Sequence, residues 1–100
     1  MKVVFRDSDL DRLETDKGFG GKYSRDIVKA YRKRMQSIRA AADERDLRCV
    51  RSHHFERLQG PRSHQHSIRL NDQWRLTLEL VREGAEKTVH VIAIDRKSVV

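Results

Sequence analysis

The alternation of apolar and polar residues between Ile68 and Leu80 is the feature that most constrains the fold of this chain. Apolar side chains recur at every second position, at Ile68 and Leu70 and then from Trp74 onward. A period of two is typical of β-strands that bury one face. A three-residue loop at 71–73 sets Leu70 opposite Trp74, so that both strands bury a common face, whereas a two-residue loop would send Trp74 to the other face. The segment therefore predicts a β-hairpin with one apolar and one polar face.

The predicted register also places Arg69 directly opposite Arg75 on the polar face. Like charges that face each other across two strands are unfavourable. The pair therefore favours an anion bound between the two guanidinium groups. The alternative is that the two long side chains spread apart into water, and the sequence leaves both interpretations open.

The length and the charge of the chain restrict the class of protein. One hundred residues predict a single domain, 1–100, with one modest core. The formal net charge of +7, from 22 Lys and Arg residues against 15 acidic ones, favours nucleic acid or an acidic protein as partner. The single cysteine, Cys49, excludes an internal disulfide. Neither a signal peptide nor a membrane-spanning apolar run is recognisable, so we predict a cytoplasmic protein with no membrane partner.

Two helices are predicted between a first strand at residues 2–6 and the hairpin. A short helix begins near Ser8 and buries Leu10 and Leu13. A longer helix covers 24–42, because apolar residues recur there at steps of three and four. The residues of this apolar stripe are Ile27, Tyr31, Met35, Ile38 and Ala42. The basic residues off the stripe form either a solvated helix face or a docking surface for nucleic acid or a partner protein.

The rest of the chain completes an α+β fold. It predicts an irregular connector at 45–54, a short strand near Phe55 and Leu58, and a final strand at 88–95 that is apolar on both faces. The element order is β-α-α-β-β-β, which predicts a small, antiparallel-rich sheet with both helices packed on one face. The other face then stays open and carries Arg69 and Arg75.

Five histidines raise the question of a metal site. Zinc requires a compact set of His or Cys ligands. His54 and Glu56 match only the H-x-E half of the zinc-deaminase motif, and the P-C-x-x-C half is absent from the sequence. We therefore predict neither a metal nor an organic cofactor. His66 and His90 are predicted as partly buried packing residues, and His64 either contacts phosphate or is simply exposed.

A cluster of cations is the remaining candidate site. Its members are Arg62, Arg69, Arg75, Arg96 and Lys97, with Asp95 at the end of the last strand. RNA cleavage through the ribose 2′-hydroxyl needs little beyond groups that neutralise the phosphate and transfer a proton. Arginine suits the phosphate oxygens, and a lysine crowded by other cations can transfer the proton. The composition permits this chemistry without requiring it.

The segments 57–62 and 65–76, RLQGPR and QHSIRLNDQWRL, resemble the HigB family of bacterial toxins, which belongs to the RelE-like superfamily. The length and the predicted element order are similar too, so the resemblance covers the whole chain. It implies a toxin that cleaves messenger RNA in the ribosomal A site during translation. It also implies a HigA-like helix-turn-helix antitoxin, through whose complex alone the protein would reach operator DNA.

The resemblance assigns roles to particular positions. It implies that Arg75 contacts the scissile phosphate, that Gln59 and Gln73 line the RNA site, and that Asp95 is the family's acid near the C-terminus. Several relatives carry lysine at the position of Gln59. His64 is included among the RNA-binding candidates because it lies beside Arg62 at the start of a predicted strand.

The C-terminal sequence departs from the family pattern. Relatives commonly end in Asp-Tyr-His, whereas this chain reads DRKSVV from Asp95. Arg96 would then stack on a base through its guanidinium plane, and Lys97 would take the proton-transfer role. Arg62 and Arg69 would guide the RNA backbone.

Three functions stay open at this point. The first is a ribosome-dependent endoribonuclease toxin. The second is a RelE-like module that binds RNA, ribosome or antitoxin with weak cleavage or none. The third is direct binding of duplex DNA through the long basic helix.

Overall fold

The computed structural model describes residues 1–96, which form a five-stranded sheet and three α-helices. The strands are β1 (Lys2–Phe5), β2 (Glu56–Arg57), β3 (Gln65–Arg69), β4 (Trp74–Glu83) and β5 (Glu86–Arg96). The helices are α1 (Ser8–Thr15), α2 (Arg25–Ala40) and α3 (Glu44–Cys49). The strand order is β1-β5-β4-β3-β2, with β1 parallel to β5 and every other pair antiparallel. The predicted α+β class with an antiparallel-rich sheet is confirmed, and the chain contains one helix and one strand more than the predicted order β-α-α-β-β-β.

The register of the central hairpin is also confirmed. Ile68 pairs with Leu76 and Arg69 with Arg75, as the three-residue loop requires. The Asn71 side chain fixes this loop, because its Oδ1 accepts hydrogen bonds from the backbone N–H groups of Gln73 (2.8 Å) and Trp74 (2.9 Å). An asparagine that bonds its own turn in this way explains why the loop has this length.

The core lies between one face of the sheet and the helices α1 and α2. It contains the predicted helix residues Leu10, Leu13, Ile27, Tyr31, Met35 and Ile38 together with alternate residues of β3, β4 and β5. Asp7 caps α1 through the N–H of Leu10, one residue before the predicted start, and Ser24 caps α2 through the N–H of Ile27. Within the described residues, no helix is both long and apolar enough to span a membrane.

The region predicted as a connector contains α3, which the sequence analysis missed. Leu47 is fully buried in the core from this helix. The helix is short, and its N-terminus is stabilised by Asp43, whose side chain accepts from the N–H of Arg45. The end of α2 differs as well, because Ala41 is buried and the predicted core residue Ala42 is exposed. Six residues with one apolar anchor give too little periodicity to detect from sequence.

A β-bulge changes the alternation along β5. The register with β4 shifts by one residue at Ile92. A bulge moves the following residues to the opposite face of the sheet. His90 therefore pairs with Glu79 on the face away from the helices, whereas simple alternation grouped it with the core position Ile94. We call this face, which presents residues 65, 67, 69, 75, 77, 79, 90 and 95, the open face.

Candidate nucleic-acid interface

Arg75 lies at the centre of the open face. Only 16% of its side chain is exposed. Its Nη1 donates to Ser67 Oγ at 2.9 Å and lies 3.3 Å from Glu56 Oε2. Ser67 is a fully buried residue of β3. Its hydroxyl is therefore held in place as the acceptor of this hydrogen bond. The guanidinium is therefore held in one position while part of it still reaches solvent.

Asp95 is the β5 partner of Arg75 in the sheet register. Its Oδ2 accepts from Thr77 Oγ1 at 2.7 Å and from Arg62 Nη2 at 3.3 Å. Thr77 is buried, whereas 42% of the Asp95 side chain is exposed. The buried Thr77 hydroxyl and the Arg62 guanidinium therefore fix the orientation of the carboxylate.

Arg62 reaches the open face from a 3-10 turn at Gly60–Arg62. The turn begins with Gly60 at a φ of 69°, a left-handed value that glycine adopts without steric cost. Arg62 Nε donates to Gln65 Oε1 at 3.0 Å while its Nη2 contacts Asp95. The side chain thus crosses β3 and β4 and links both edges of the candidate site.

Arg69 occupies the rim of the same face. Its guanidinium forms an ion pair with Asp72 in the β3–β4 loop, and its Nη1 lies 3.5 Å from His54 Nε2. The Arg69 carbonyl accepts from Arg34 Nε at 2.9 Å. Burial and the neighbouring Arg69 charge lower the pKa of Arg34.

His64 extends the open face away from Arg75. Its Nε2 lies 3.0 Å from Glu79 Oε1. The two residues line a pocket of about 410 Å³ together with Arg6, Gln65 and His90. Gln65, which lines this pocket, also accepts a hydrogen bond from Arg62, the partner of Asp95.

The structure thus gathers many of the predicted site residues on one face. Those on or bonded to it are Arg62, His64, Arg69, Arg75 and Asp95. Gln59 is exposed in the segment before the 3-10 turn, and Gln73 is exposed in the β3–β4 loop.

Arg96 stands apart from this group. Arg96 pairs with Trp74, whose parity along β4 is that of the core residue Leu76. Strand alternation therefore puts Arg96 on the helix side of the sheet, opposite to Arg75. Lys97 lies outside the described residues.

Three residues that bond Arg75 or Asp95 were not among the site residues predicted from the sequence. They are Glu56, Ser67 and Thr77. Ser67 and Thr77 could have been found from the sequence, because both alternate with the core residues of the hairpin and therefore lie on its polar face. Glu56 could not be found in this way, because β2 is only two residues long.

An aromatic pair closes the end of the sheet near Asp95. The rings of Tyr23 and Trp74 meet edge to face with their centroids 6.1 Å apart. Tyr23 and Asp95 both line a pocket of about 420 Å³. Burial, and then the carboxylates of Asp7, Asp95 and Asp9, raise the pKa of Tyr23.

The arrangement suits an anion with several oxygens, such as a phosphodiester. Three guanidinium groups lie on or at the rim of one face, and each is held by neighbours that limit its motion. One arginine side chain can donate to two oxygens of a phosphate group at once. The paired carboxylates of Glu56, Asp72 and Asp95 compensate these charges in the free protein.

The fold is of the RelE-like class. The structure is similar to that of a YoeB/ParE toxin from Agrobacterium tumefaciens, with a TM-score of 0.65 over 98% of this chain and 100% of that chain, at 17% sequence identity. At that identity the similarity establishes the fold alone. A comparison with curated proteins finds no match.

The family follows from the sequence itself. Residues 3–93 match the model of the HigB-like toxins, described as the RelE-like toxin of the type II toxin-antitoxin system HigB. The chain therefore belongs to the HigB-like toxin family, as the hairpin segment indicated.

Proposed function

We propose that the protein is a ribosome-dependent endoribonuclease that cuts translated messenger RNA in the A site and acts in the cytoplasm. The observation that carries the proposal is the Arg75 guanidinium, held by Ser67 and Glu56 at the centre of the open face. Membership of the HigB-like toxins supports the same reaction. So small a site depends on the ribosome to orient the RNA strand.

In this proposal the ribose 2′-oxygen attacks the adjacent phosphorus and the bond from phosphorus to the 5′-oxygen breaks. Arg75 binds the non-bridging oxygens, where negative charge increases in the transition state. Arg62 and Arg69 hold the neighbouring backbone. Asp95 is the candidate for accepting the 2′-hydroxyl proton, and Lys97 is the candidate for protonating the departing 5′-oxygen.

Base stacking would come from the end of the sheet. Arg96 was the candidate from sequence, and the Tyr23–Trp74 pair offers aromatic surface at the same end. Gln59, Gln73 and His64 would contact the nucleotides that flank the scissile bond. An aromatic ring or a guanidinium plane can each stack on a base.

We further propose a HigA-like helix-turn-helix antitoxin as the neutralising partner. A type II toxin implies an antitoxin protein, and the family description supports that step. Binding to operator DNA would then occur only in the complex. An adjacent reading frame that encodes a small helix-turn-helix protein is the expected genetic context.

The second candidate is a binding module with weak cleavage or none. It is favoured by the position of Arg96 on the helix side of the sheet, away from Arg75. The usual Tyr-His of the family is also missing from the end of the chain. Such a protein would occupy the ribosome, RNA or antitoxin and leave the message intact.

Induction of Arg75→Ala distinguishes the two candidates. The matched control is Arg82→Ala, which removes an exposed arginine from the far end of β4. We expect wild type and control to arrest growth and to produce new message ends by primer extension, and Arg75→Ala to produce neither at equal expression. Growth arrest without message ends in the wild type would favour the binding module, and cleavage retained in Arg75→Ala would contradict the proposed mechanism.

A further inference from the structure

The pocket that His64 and Glu79 line lies across the open face, from the end of β1 to the start of β3. We call this cavity of about 410 Å³ the Glu79 pocket. Glu79 follows Arg75 by four residues on β4. Four residues of strand span about 13 Å, which is the length of about two nucleotides in an extended single strand. The pocket is therefore too far from Arg75 to share its phosphate, but it lies within reach of the same RNA strand.

The open face is low between Arg75 and the Glu79 pocket. The register pair at this point of β4 and β5 is Thr77 with Ala93, and both side chains are small. The two strands therefore leave room for an RNA strand that runs along the face from one site to the other.

Arg62 reaches across this low region. Its Nε donates to Gln65, which lines the Glu79 pocket, and its Nη2 donates to Asp95, the register partner of Arg75. About half of the Arg62 side chain, 53%, is exposed. Its guanidinium can therefore donate to a phosphate that lies between the two sites.

The Glu79 carboxylate is the group of the pocket that can distinguish one base from another. Its Oε1 lies 3.0 Å from His64 Nε2, and this contact orients the carboxylate. The Glu79 side chain is 27% exposed, so a ligand in the pocket can meet its second oxygen. Carboxylates accept hydrogen bonds from the exocyclic amino group of cytosine. Adenine and guanine also carry such a group, and uracil carries none.

Arg6 supplies a positive charge at the β1 side of the pocket. Its backbone N–H donates to the carbonyl of Val91 at 2.9 Å, which holds it beside β5. Alternation along β1 puts Arg6 on the side of Val4, which is the register partner of His90 on the open face. Arg6 is exposed, and it belongs to none of the ion pairs between residues 1–96. Its guanidinium is therefore available to a phosphate.

Phe5 and Ile92 give the pocket apolar lining. Ile92 is the extra residue of the bulge in β5, and bulges are common next to functional sites because they redirect side chains. A pocket of about 410 Å³ is of the size that holds one small organic ligand. An apolar wall, a carboxylate and an arginine together match the ring, the amino edge and the phosphate of a single nucleotide.

We propose that the Glu79 pocket is a specificity subsite, which holds one nucleotide of the message about two steps from the scissile phosphate and favours a base with an exocyclic amino group over uracil. Glu79 accepts from the amino group, His64 is the positioning residue for Glu79, and Arg6 binds the phosphate of this nucleotide. The inference rests on the proposed function, because that function brings the RNA strand to the open face.

The test measures binding of the full chain to fluorescent hexanucleotides of cytidine and of uridine by anisotropy. Both carry 2′-O-methyl groups, so that the 2′-oxygen cannot attack and no strand is cut. Glu79→Leu removes the acceptor, and Glu83→Leu makes the same change on the same strand outside the pocket. Arg6→Ala removes the phosphate contact, and its control is Arg82→Ala, an exposed arginine outside the pocket.

We expect the wild type and Glu83→Leu to bind the cytidine strand about three- to tenfold more tightly than the uridine strand, as one net hydrogen bond provides. Glu79→Leu should bind the two strands equally. The ratio of the two affinities is the readout, because a change in net charge affects both strands alike. No preference in the wild type, or a preference that persists in Glu79→Leu, would overturn the assignment.

Arg6→Ala should lower the slope of log K against log salt by about 0.7, the value for one phosphate contact on a single strand, and Arg82→Ala should lower it less. Equal slopes in these two variants would overturn the phosphate contact of Arg6. Message cleavage by the wild type is scored separately by primer extension. A protein that cuts message without the base preference contradicts this inference alone, whereas one that shows the preference without message ends contradicts the proposed cleavage alone.

Discussion

Arg69 and Arg75 lie directly opposite each other on neighbouring strands, yet their guanidinium groups bind different carboxylates. Arg75 lies 3.3 Å from Glu56, and Arg69 pairs with Asp72. The repulsion expected from the sequence is relieved by acids of the protein itself. In the proposed function, an RNA phosphate would compete with these acids for the two guanidinium groups.

Glu56→Gln should therefore strengthen RNA binding. The Glu56 side chain is 59% exposed, so the ion pair that it forms is worth at most about 1 kcal/mol. Loss of this competitor should raise the affinity for a short single-stranded RNA about two- to fivefold, with a change in the free energy of unfolding within about 0.5 kcal/mol. Fluorescence anisotropy at fixed salt measures the affinity.

The control for this prediction is Glu83→Gln, which makes the same charge change at the β4–β5 turn. It should raise affinity less, because Glu83 lies far along the strand from Arg75. An equal increase in both variants would mean that net charge alone is responsible.

Thr77→Val should reduce cleavage more than it reduces stability. The buried Thr77 hydroxyl donates to Asp95 at 2.7 Å, and valine has nearly the same shape without the donor. The partly exposed Asp95 can regain water, so the free energy of unfolding should fall by only about 1 kcal/mol. Cleavage should fall about tenfold or more, because the carboxylate loses its fixed orientation.

Thr88→Val is the matched control for Thr77→Val, since Thr88 is equally a buried threonine of the sheet. Cleavage is measured on translated message with both variants at equal folded concentration. If the two variants lose cleavage to the same extent, the role of the Thr77–Asp95 hydrogen bond is refuted.

The hairpin shows why much of the fold could be predicted from the sequence. Its alternation, its loop length and the Arg69–Arg75 register depend on contacts between residues close in the chain. The apolar stripe of α2 is equally local, and the core contains it as far as Ile38. Local periodicity is the strongest signal that a single sequence contains.

The candidate site was harder to predict because it depends on contacts between distant residues. The Arg62–Asp95 pair joins a turn to the last strand, 33 positions apart. The bulge at Ile92 places His90 on the open face, and no glycine in the sequence indicates that a bulge occurs there. Arg96 was grouped with Arg75 by charge, whereas the strand register separates them. The charge composition indicated an anionic ligand, and only the register showed which of the cations share a face.

Stability should decrease in mild acid because of His53. Burial lowers the pKa of His53 below its ordinary value of 6.5, with a further lowering by the Arg34 charge. Below pH 6.5 the unfolded chain therefore binds a proton that the folded protein does not. The free energy of unfolding should fall as pH decreases from 6.5 toward the folded pKa, at up to about 1.4 kcal/mol per pH unit for this proton.

Two measurements check the His53 prediction. The ring titration followed by NMR should give a pKa for His53 below 6.5 in the folded protein. Urea unfolding between pH 5 and 7 should show a shallower pH dependence in His53→Gln than in wild type. Some dependence should persist, because burial also lowers the pKa of His66. A His53 pKa at or above 6.5 would be incompatible with this account.

Tyr31→Phe should destabilise the protein without impairing the site. The fully buried Tyr31 hydroxyl donates to the carbonyl of Leu10 at 2.7 Å and so joins α2 to α1. Removing it should cost about 1 kcal/mol, or roughly 4–8 °C in Tm for a domain of this size. Tyr23→Phe, which keeps the ring contact with Trp74, is the control and should change Tm less.

Tyr31→Phe should also change how the free energy of unfolding depends on pH above pH 10. Burial, and then the carboxylates of Glu14, Asp11 and Asp7, raise the pKa of Tyr31 above its ordinary value of 10.0. Above pH 10 the unfolded chain releases this proton while the folded protein retains it, so wild type loses stability as pH rises and Tyr31→Phe does not lose this contribution. The stability difference between the two proteins should therefore narrow above pH 10 in urea unfolding. A difference that stays constant up to pH 11 would show that the Tyr31 hydroxyl ionises as readily in the folded protein as in the unfolded chain.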